Sequence, residues 1–589
     1  MVRATISQER STVDAIVDAL ISGGVRFVVG MPGGSTVALW GALRDRPEIT
    51  PVLVSEESVG SYLAEAYGRL TGAPVAVMGQ GEWMVGNAGQ GYLEALLGAS
   101  PVLILTEMSD GGAFSHQAHY QAGTGDYGAW DARSALSGVT KRVMVSHHPV
   151  QAVHHTQLAL KHCLTGEPGP VAVVFSNDSL KGTVGPDSRP PIYSTRPYLP
   201  RAPQAVAPST VAAVAAAMCL AQRPVIIAGN GIRVGQACIS LEELARVSDS
   251  VVVTTPGGKG VFPEDDPRAA GVIGSFGWPT ANEAVRSADL ILAVGTKLAA
   301  SDIGQGRRAL IDPERQTLIQ IDVEPLNASW TLPMDEVLIG DAGAMMDALT
   351  QAIPPDAATT RETAAARILA LAPTEGGSSL ALQGQVRDGV PIHPRRTIEI
   401  INDTIDTLGA DTIVTCDAGE NRLFMMRWLR SRGRGNYLQP AAGGGMGYAL
   451  PAALGAKLAY PDRTVLAVCG DGGFTMAMQA LTSARTLRLG VVVLVLNNNA
   501  LGWVLHGDSN AVPVPADDFD FAAIARAMGC DGVRVSCESD LRSALATAGP
   551  DRRVPLVIDV PTSLDVSFKD LIQRVRRASA PPVAEGMTP

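Results

Sequence analysis

"GDGGFTMAMQALTSARTLRLGVVVLVLNNN" (residues 470–499) decides how this chain is read. An apolar run, "RTVLAVCG" (463–470), ends at Gly470-Asp471-Gly472-Gly473. A helical pattern follows, and a second apolar run ends at Asn497-Asn498-Asn499. Two buried strands joined by a helix form a parallel βαβ unit. Its strand tips present one acid and one amide on the edge where such sheets bind ligands. A carboxylate, an amide oxygen and a backbone carbonyl make a hard-oxygen site suited to Mg²⁺, which phosphate oxygens complete. The glycines after Asp471 let phosphates approach backbone N–H groups at the helix start. The same letters also fit two plain turns of a βαβ unit, so the reading needs the rest of the chain.

Outward from this stretch the rhythm repeats. "VRFVVG" (25–30), "PVAVMG" (74–79), "PVLIL" (101–105) and "PVAVVF" (170–175) alternate with helical patterns, as do "RPVIIAGNG" (223–231), "VVVTT" (251–255) and "ADLILAVGT" (288–296). The fold class is α/β, with three domains built on parallel sheets flanked by helices. Pro-rich "DSRPPIYSTRPYLPRAPQAVAP" (187–208) and a low-order stretch over 353–390 read as linkers. The expected parse is a first domain over 1–186, a central domain over 209–352, a third over 391–575 and a mobile tail over 576–589. The chain carries 47 Lys and Arg against 58 Asp and Glu, a net charge of −11, which argues against nucleic acid or an anionic membrane as main partner. Seven cysteines without CxxC spacing read as reduced thiols. With no apolar run of spanning length and no signal peptide, the expectation is a cytoplasmic protein.

The 470–499 stretch resembles the metal–diphosphate motif of thiamine-diphosphate (ThDP) enzymes, in the branch of acetolactate synthases and 2-oxoacid decarboxylases. "GGGMGYALPAALGAKLAYP" (443–461) is similar to the segment that lies against the coenzyme rings, and "GGVRFVVGMPGGSTVALWGAL" (23–43) to the opening of the first domain. The resemblance implies ThDP-binding folds in the first and third domains and a Rossmann-like central domain. It implies Asp471, Asn498 and the Ala500 carbonyl as Mg²⁺ ligands. It implies coenzyme contacts from Gly419, Glu420, Asn421, Gly444, Gly470, Gly472, Gly473, Leu501, Gly502 and Trp503, with Met446 as the wedge that bends the coenzyme. In this family the coenzyme lies between the first domain of one subunit and the third domain of another, so a homodimer or homotetramer is implied.

"SEESVGSY" (55–62) offers two adjacent acids. The family places its activating Glu ten residues before a Tyr, and Tyr67 in "AYGRLTG" selects Glu57, implied to hydrogen-bond the aminopyrimidine N1′. Positions 57, 60, 61, 64 and 68 form a stripe of mostly small residues that admits a close partner helix, which places Glu57 at the subunit contact. Glu56 falls where many relatives have His. In "GQGEWMVGN" (79–87), Glu82 and Trp83 replace small residues near the implied substrate channel. "SHQAHYQAGTGDYGAW" (115–130) matches the loop whose Gln reaches the active site, so Gln121 is the counterpart, with His116 and His119 as titratable neighbours. Gly507 stands where acetolactate synthases commonly place a substrate-selecting Trp. The expected function is a ThDP- and Mg²⁺-dependent lyase or carboligase on a 2-oxoacid or related carbonyl compound. A 2-hydroxyacyl-CoA lyase or oxalyl-CoA decarboxylase relative is the alternative. A dinucleotide-binding oxidoreductase is disfavoured because "GNGIRVG" (229–235) lacks GxGxxG spacing, and FAD is disfavoured with it.

Overall fold

The structure is a computed structural model that describes residues 6–110, 117, 119–200, 206–303, 310–354, 361–371, 389–507 and 519–571. Three six-stranded sheets, parallel throughout, carry the chain. The first is built from β1 (Phe27–Gly30), β2 (Thr50–Leu53), β3 (Val75–Met78), β4 (Val102–Glu107), β5 (Arg142–Ser146) and β6 (Val171–Phe175), in spatial order 2-1-3-4-6-5. The second holds β7 (Pro224–Ala228), β8 (Val251–Thr254), β9 (Ala269–Val272), β10 (Leu290–Val294), β11 (Thr317–Asp322) and β12 (Glu336–Ile339), in order 9-8-7-10-11-12. The third holds β13 (Ile413–Cys416), β14 (Tyr437–Leu438), β15 (Val465–Gly470), β16 (Val492–Asn497), β17 (Asp531–Arg534) and β18 (Leu556–Pro561), in order 14-13-15-16-18-17. The first and third sheets therefore share one topology, and the central sheet has the doubly wound order of mononucleotide-binding folds. Central strands such as Val75–Met78 and Leu290–Val294 are buried end to end, which is why they read as unbroken apolar runs.

Two of the expected linkers are more ordered than their composition implies. Within 187–208, the Ile192 carbonyl accepts from the Ile6 N–H and the Tyr193 carbonyl from Gln157, so this segment is laid on the first domain. Within 353–390, helix Ala364–Leu371 packs on the central domain: Ala364 is buried, and Arg367 donates to the carbonyls of Pro224 and Asp249. Ala364, Ile368 and Leu371 form a short apolar stripe on the central-domain core, too brief to stand out among the surrounding alanines. The expected mobile tail and His116 lie outside the described residues. All seven cysteines are free thiols. Among the described residues no helix is long and apolar enough to cross a membrane.

Four helices matter most for the site: α1 (Glu57–Thr71), α2 (Gly89–Leu97), α3 (Glu420–Trp428) and α4 (Ala449–Ala459). Helices α1 and α4 pack so tightly that a Cβ on Gly455 would lie 2.2 Å from the Leu63 carbonyl oxygen. One apolar cluster runs from Val77 and Ile104 of the first sheet through Leu63 and Leu454 to Val465 and Val493 of the third. A buried polar set crosses the same contact. Arg69 pairs with Glu65 at 2.9 Å and donates to the Gln439 carbonyl at 2.8 Å, while the Tyr448 hydroxyl donates to Glu65 at 2.8 Å. The small-residue stripe of α1 is therefore closed within the chain rather than against a second subunit. Gly60 faces Val54 and Val29, Gly68 faces Pro101, and Ser61 sits on Gly91 of α2.

Gly455→Ala must push two backbones apart, so it lowers unfolding free energy by about 1–3 kcal/mol in chemical denaturation. Gly41→Ala, in a helix where an added Cβ meets nothing within 4 Å, is neutral or stabilising by up to about 1 kcal/mol. Equal destabilisation by both would contradict the close α1–α4 approach.

Candidate active site

Strands β15 and β16 run parallel with Gly470 opposite Leu496, which puts the ends of the two motifs side by side. The Ala500 N–H lies 3.0 Å from Asn498 Oδ1 and 3.3 Å from Asp471 Oδ2, so a single donor gathers both oxygens. Asn499 takes a positive φ of 53° to make this turn. Asn497 is not a competing ligand, because its amide donates to Asp559 at 3.0 Å and to the Phe519 carbonyl at 3.2 Å. Burial pushes the Asp471 carboxyl up, restrained by the backbone N–H groups of residues 472 and 498–500. A part-buried carboxylate held beside an amide oxygen and given only backbone donors suits a divalent cation. Helix Asp471–Ala477 starts at this acid. At Gly472 a Cβ would lie 2.6 Å from a terminal methyl of Leu501 and 3.1 Å from the Met446 methyl. Leu501 and Met446 thus flank the Gly472 backbone at the start of this helix.

These residues line a cavity of about 970 Å³ together with Gly419, Glu420, Asn421, Gly444, Gly470, Gly473, Gly502 and Trp503. The structure thus gathers every expected metal and coenzyme residue of the third domain in one place. Glu420 is already engaged: its carboxylate pairs with His506 at 2.8 Å and accepts the Phe568 N–H at 2.9 Å. That ties α3 to helix Gly502–Gly507 and to the segment after β18. Trp503 stacks on Phe568 with ring centroids 4.1 Å apart.

Glu57 lines a different cavity, of about 350 Å³, with Met31, Gly33, Ser55, Glu56, Gln80, Trp83 and Asn87. It is 7% exposed and accepts from Asn87 Nδ2 at 3.1 Å. Gln121, held at a positive φ of 62°, accepts from Gln80 and so reaches this half of the site. Two expected residues are placed otherwise. His119 is exposed and lines neither cavity. Glu82 is also outside the lining; burial and the charge of Glu107 raise its carboxyl, with its own N–H opposing, while Trp83 takes the cavity wall. Glu56 accepts from Gln479 at 3.2 Å, and the Ser55 N–H donates to Ser483 at 2.9 Å, so the start of α1 is moored to the third domain.

The central-domain glycines serve packing. A Cβ on Gly229 would lie 2.2 Å from the Gly295 carbonyl oxygen, and one on Gly231 would lie 2.7 Å from Gly295 Cα. These two turns pack closely on each other, and Asn230, Gly231, Gly295 and Thr296 also line the large cavity.

Sequence profiles agree with this arrangement. The N-terminal TPP binding domain of thiamine pyrophosphate enzymes matches residues 10–125, their central domain 211–349, and their C-terminal TPP binding domain 417–560. A probable 2-ketoarginine decarboxylase of Pseudomonas aeruginosa is 30% identical over 555 residues, covering 91% of this chain and 92% of the relative. A probable acetolactate synthase large subunit of Methanocaldococcus jannaschii is 29% identical over 548 residues (91% and 89%). The acetolactate synthase isozyme 3 large subunit of Escherichia coli is 27% identical over 588 residues (95% of each).

Sequence reasoning missed the two acids that hold the Met446 loop. Glu94 of α2 accepts the Gly445 N–H at 2.9 Å. Asp417, 1% exposed after β13, accepts from the N–H groups of Ala418 (2.8 Å), Gly447 (3.0 Å) and Ala449 (3.4 Å). Only the strand-end acid in "TCDAG" hinted at the second. Burial pushes the Asp417 carboxyl up to about 6, against those backbone donors. Its proton is held more tightly folded than unfolded, so its contribution to stability is full below about pH 4 and is lost as pH rises through about 6. Urea unfolding from pH 4 to 7 should show that falling component in the natural protein and not in Asp417→Asn. A pH-independent difference between the two would contradict it.

Proposed function

The chain belongs to the thiamine pyrophosphate enzymes, in their acetolactate synthase-like branch, and on that premise we propose a Mg²⁺-assisted lyase or carboligase acting on a 2-oxoacid. The observation that carries the reading is the convergence of Asp471 and Asn498 on the Ala500 N–H beside the bare Gly472 backbone. Asp471 and Asn498, with the Ala500 carbonyl, are the proposed metal ligands. Gly472 and Gly473 admit the diphosphate, and Met446 and Leu501 flank it. When bound, the coenzyme supplies a nucleophilic carbon and an electron sink for the carbon–carbon bond that breaks. Glu57 is the residue proposed to hold a proton against the aminopyrimidine. Asn87 fixes its carboxylate and burial strengthens that hydrogen bond. Gln80 and Gln121 are proposed to orient the substrate beside it, and the stacked Trp503–Phe568 pair to exclude water.

The proposed assembly is a dimer or a larger assembly of the chain. Glu57 and Asp471 line separate cavities that share no residue, and Trp83 at the Glu57 cavity is 46% exposed. Each half-site is thus set to be completed by another copy. Among the relatives' names stand both a decarboxylase of a 2-oxoacid and synthases of acetolactate. Gly507, where a synthase would place its selecting Trp, weighs against acetolactate as the product. A CoA-linked reading draws on one observation, the extension of the large cavity to Asn230, Thr296 and Asp322 at the central-domain strand ends. Asp302, Asp322 and Asp341 line that extension, and Lys297 is already paired with Glu167 at 2.8 Å, so a phosphate-rich ligand meets carboxylates there.

A panel of 2-oxoacids, aldehydes and acyl-CoA esters, read by mass spectrometry, should give product only with ThDP present. Chelation by EDTA should abolish turnover, and ThDP with Mg²⁺ should restore it. Glu57→Ala should lower turnover by about 10²–10⁴-fold with an unchanged circular dichroism spectrum. Wild-type turnover in that variant would sink the assignment.

A further inference from the structure

We infer that Arg422 is an anion-binding residue of the large cavity and that it receives the carboxylate of the 2-oxoacid; this rests on the reading above. Arg422 is the third residue of α3 and lines the cavity with Gly444 and Met446. One guanidinium nitrogen lies 4.0 Å from where a Cβ on Gly444 would be, beside the loop that carries Met446. Its side chain makes no hydrogen bond or ion pair among the described residues, and its Nε is buried without a partner.

Arg361, Arg367 and Arg552 also bury an Nε without a hydrogen bond, but their terminal nitrogens donate to carbonyl oxygens. Arg69 is paired with Glu65, and Arg233 donates to Asn230 and to the carbonyls of Gly257, Lys259 and Gly435. Leaving charged donors unsatisfied in a part-buried wall is unfavourable, and a bound anion removes that cost. Asp302 on the central domain lines the same cavity and feels the charge of Arg422 without forming an ion pair with it. Both residues line one cavity, so a ligand in it can reach the guanidinium.

Two anions could fill it, a substrate carboxylate and the coenzyme diphosphate. Position on the helix favours the first. Asn421 Oδ1 lies 3.4 Å from a Cβ on Gly419 and 3.9 Å from one on Gly470, on the diphosphate side. Consecutive helix residues point about 100° apart, and Arg422 projects to the Gly444 side instead. The first turn of this nine-residue helix adds a field of the same sign. A planar guanidinium matches a carboxylate in a two-point hydrogen bond.

The test uses full-length protein loaded with ThDP and Mg²⁺, with pyruvate, 2-oxobutyrate, 2-oxoglutarate and 2-oxo-5-guanidinopentanoate as probes. Coenzyme affinity is read separately from the quenching of tryptophan fluorescence. Arg422→Met should raise KM for the best probe by about tenfold or more while leaving the coenzyme Kd within about twofold. Arg422→Lys, which keeps the charge, should recover part of the loss. An unchanged KM, a coenzyme Kd weakened as much as KM, or a lysine variant no better than methionine overturns the inference and leaves the ThDP reading standing. Wild-type protein that binds coenzyme yet turns over no 2-oxoacid overturns this inference and the 2-oxoacid reading together.

Discussion

The contact of α1 with α4 sets the rest of the molecule. Its backbone-to-backbone approach at Leu63 and Gly455 needs the glycine, and the Glu65–Arg69–Tyr448 set fixes its register by leaving no alternative partner for a buried charge. Glu57 is the first residue of α1, and Met446 stands three residues before α4. One interface therefore places both the acid of the first domain and the loop of the third. It also brings the first and third sheets onto one apolar core while leaving their functional edges in separate cavities.

The site's electrostatics follow from how backbone N–H groups are distributed. The Ala500 N–H draws Asp471 and Asn498 together, and Asp417 and Glu94 hold the glycine loop between them. Asp417 and Glu94 are fully buried, whereas Asp471 is part-buried at its strand end, where the proposed cation and diphosphate would balance its charge and the helix start. The wall toward the central domain has a different character, with acids on one side and Arg422 on the other. The two ends of the cavity are thus suited to different parts of a ligand.

Much of this was legible in the letters. Apolar runs ending in GDGG and NNN mark two adjacent strand tips, while the preference for Glu57 over Glu56 comes from the family resemblance, and both acids line one cavity. What was not legible is long-range. Which of three asparagines turns to the site depends on Asp559, more than sixty residues on, taking Asn497. The roles of Asp417 and Glu94 are hydrogen bonds to glycine N–H groups of another segment, which no side-chain pattern encodes. The stripe at 57, 60, 61, 64 and 68 has the spacing of a subunit contact, yet its own sheet and Pro101 fill it. Periodicity fixes which residues share a face and not what covers that face.

The central claim is that a working site joins Glu57 of one copy to Asp471 of another. The most direct measurement is complementation between two inactive variants, Glu57→Ala and Asp471→Ala, unfolded together and reassembled. Random pairing in a dimer regenerates one intact site in half of the assemblies, so activity should return to about a quarter of the natural protein's. A mixture as inactive as either variant alone would contradict the account, because a site confined to one chain cannot be rescued by the other.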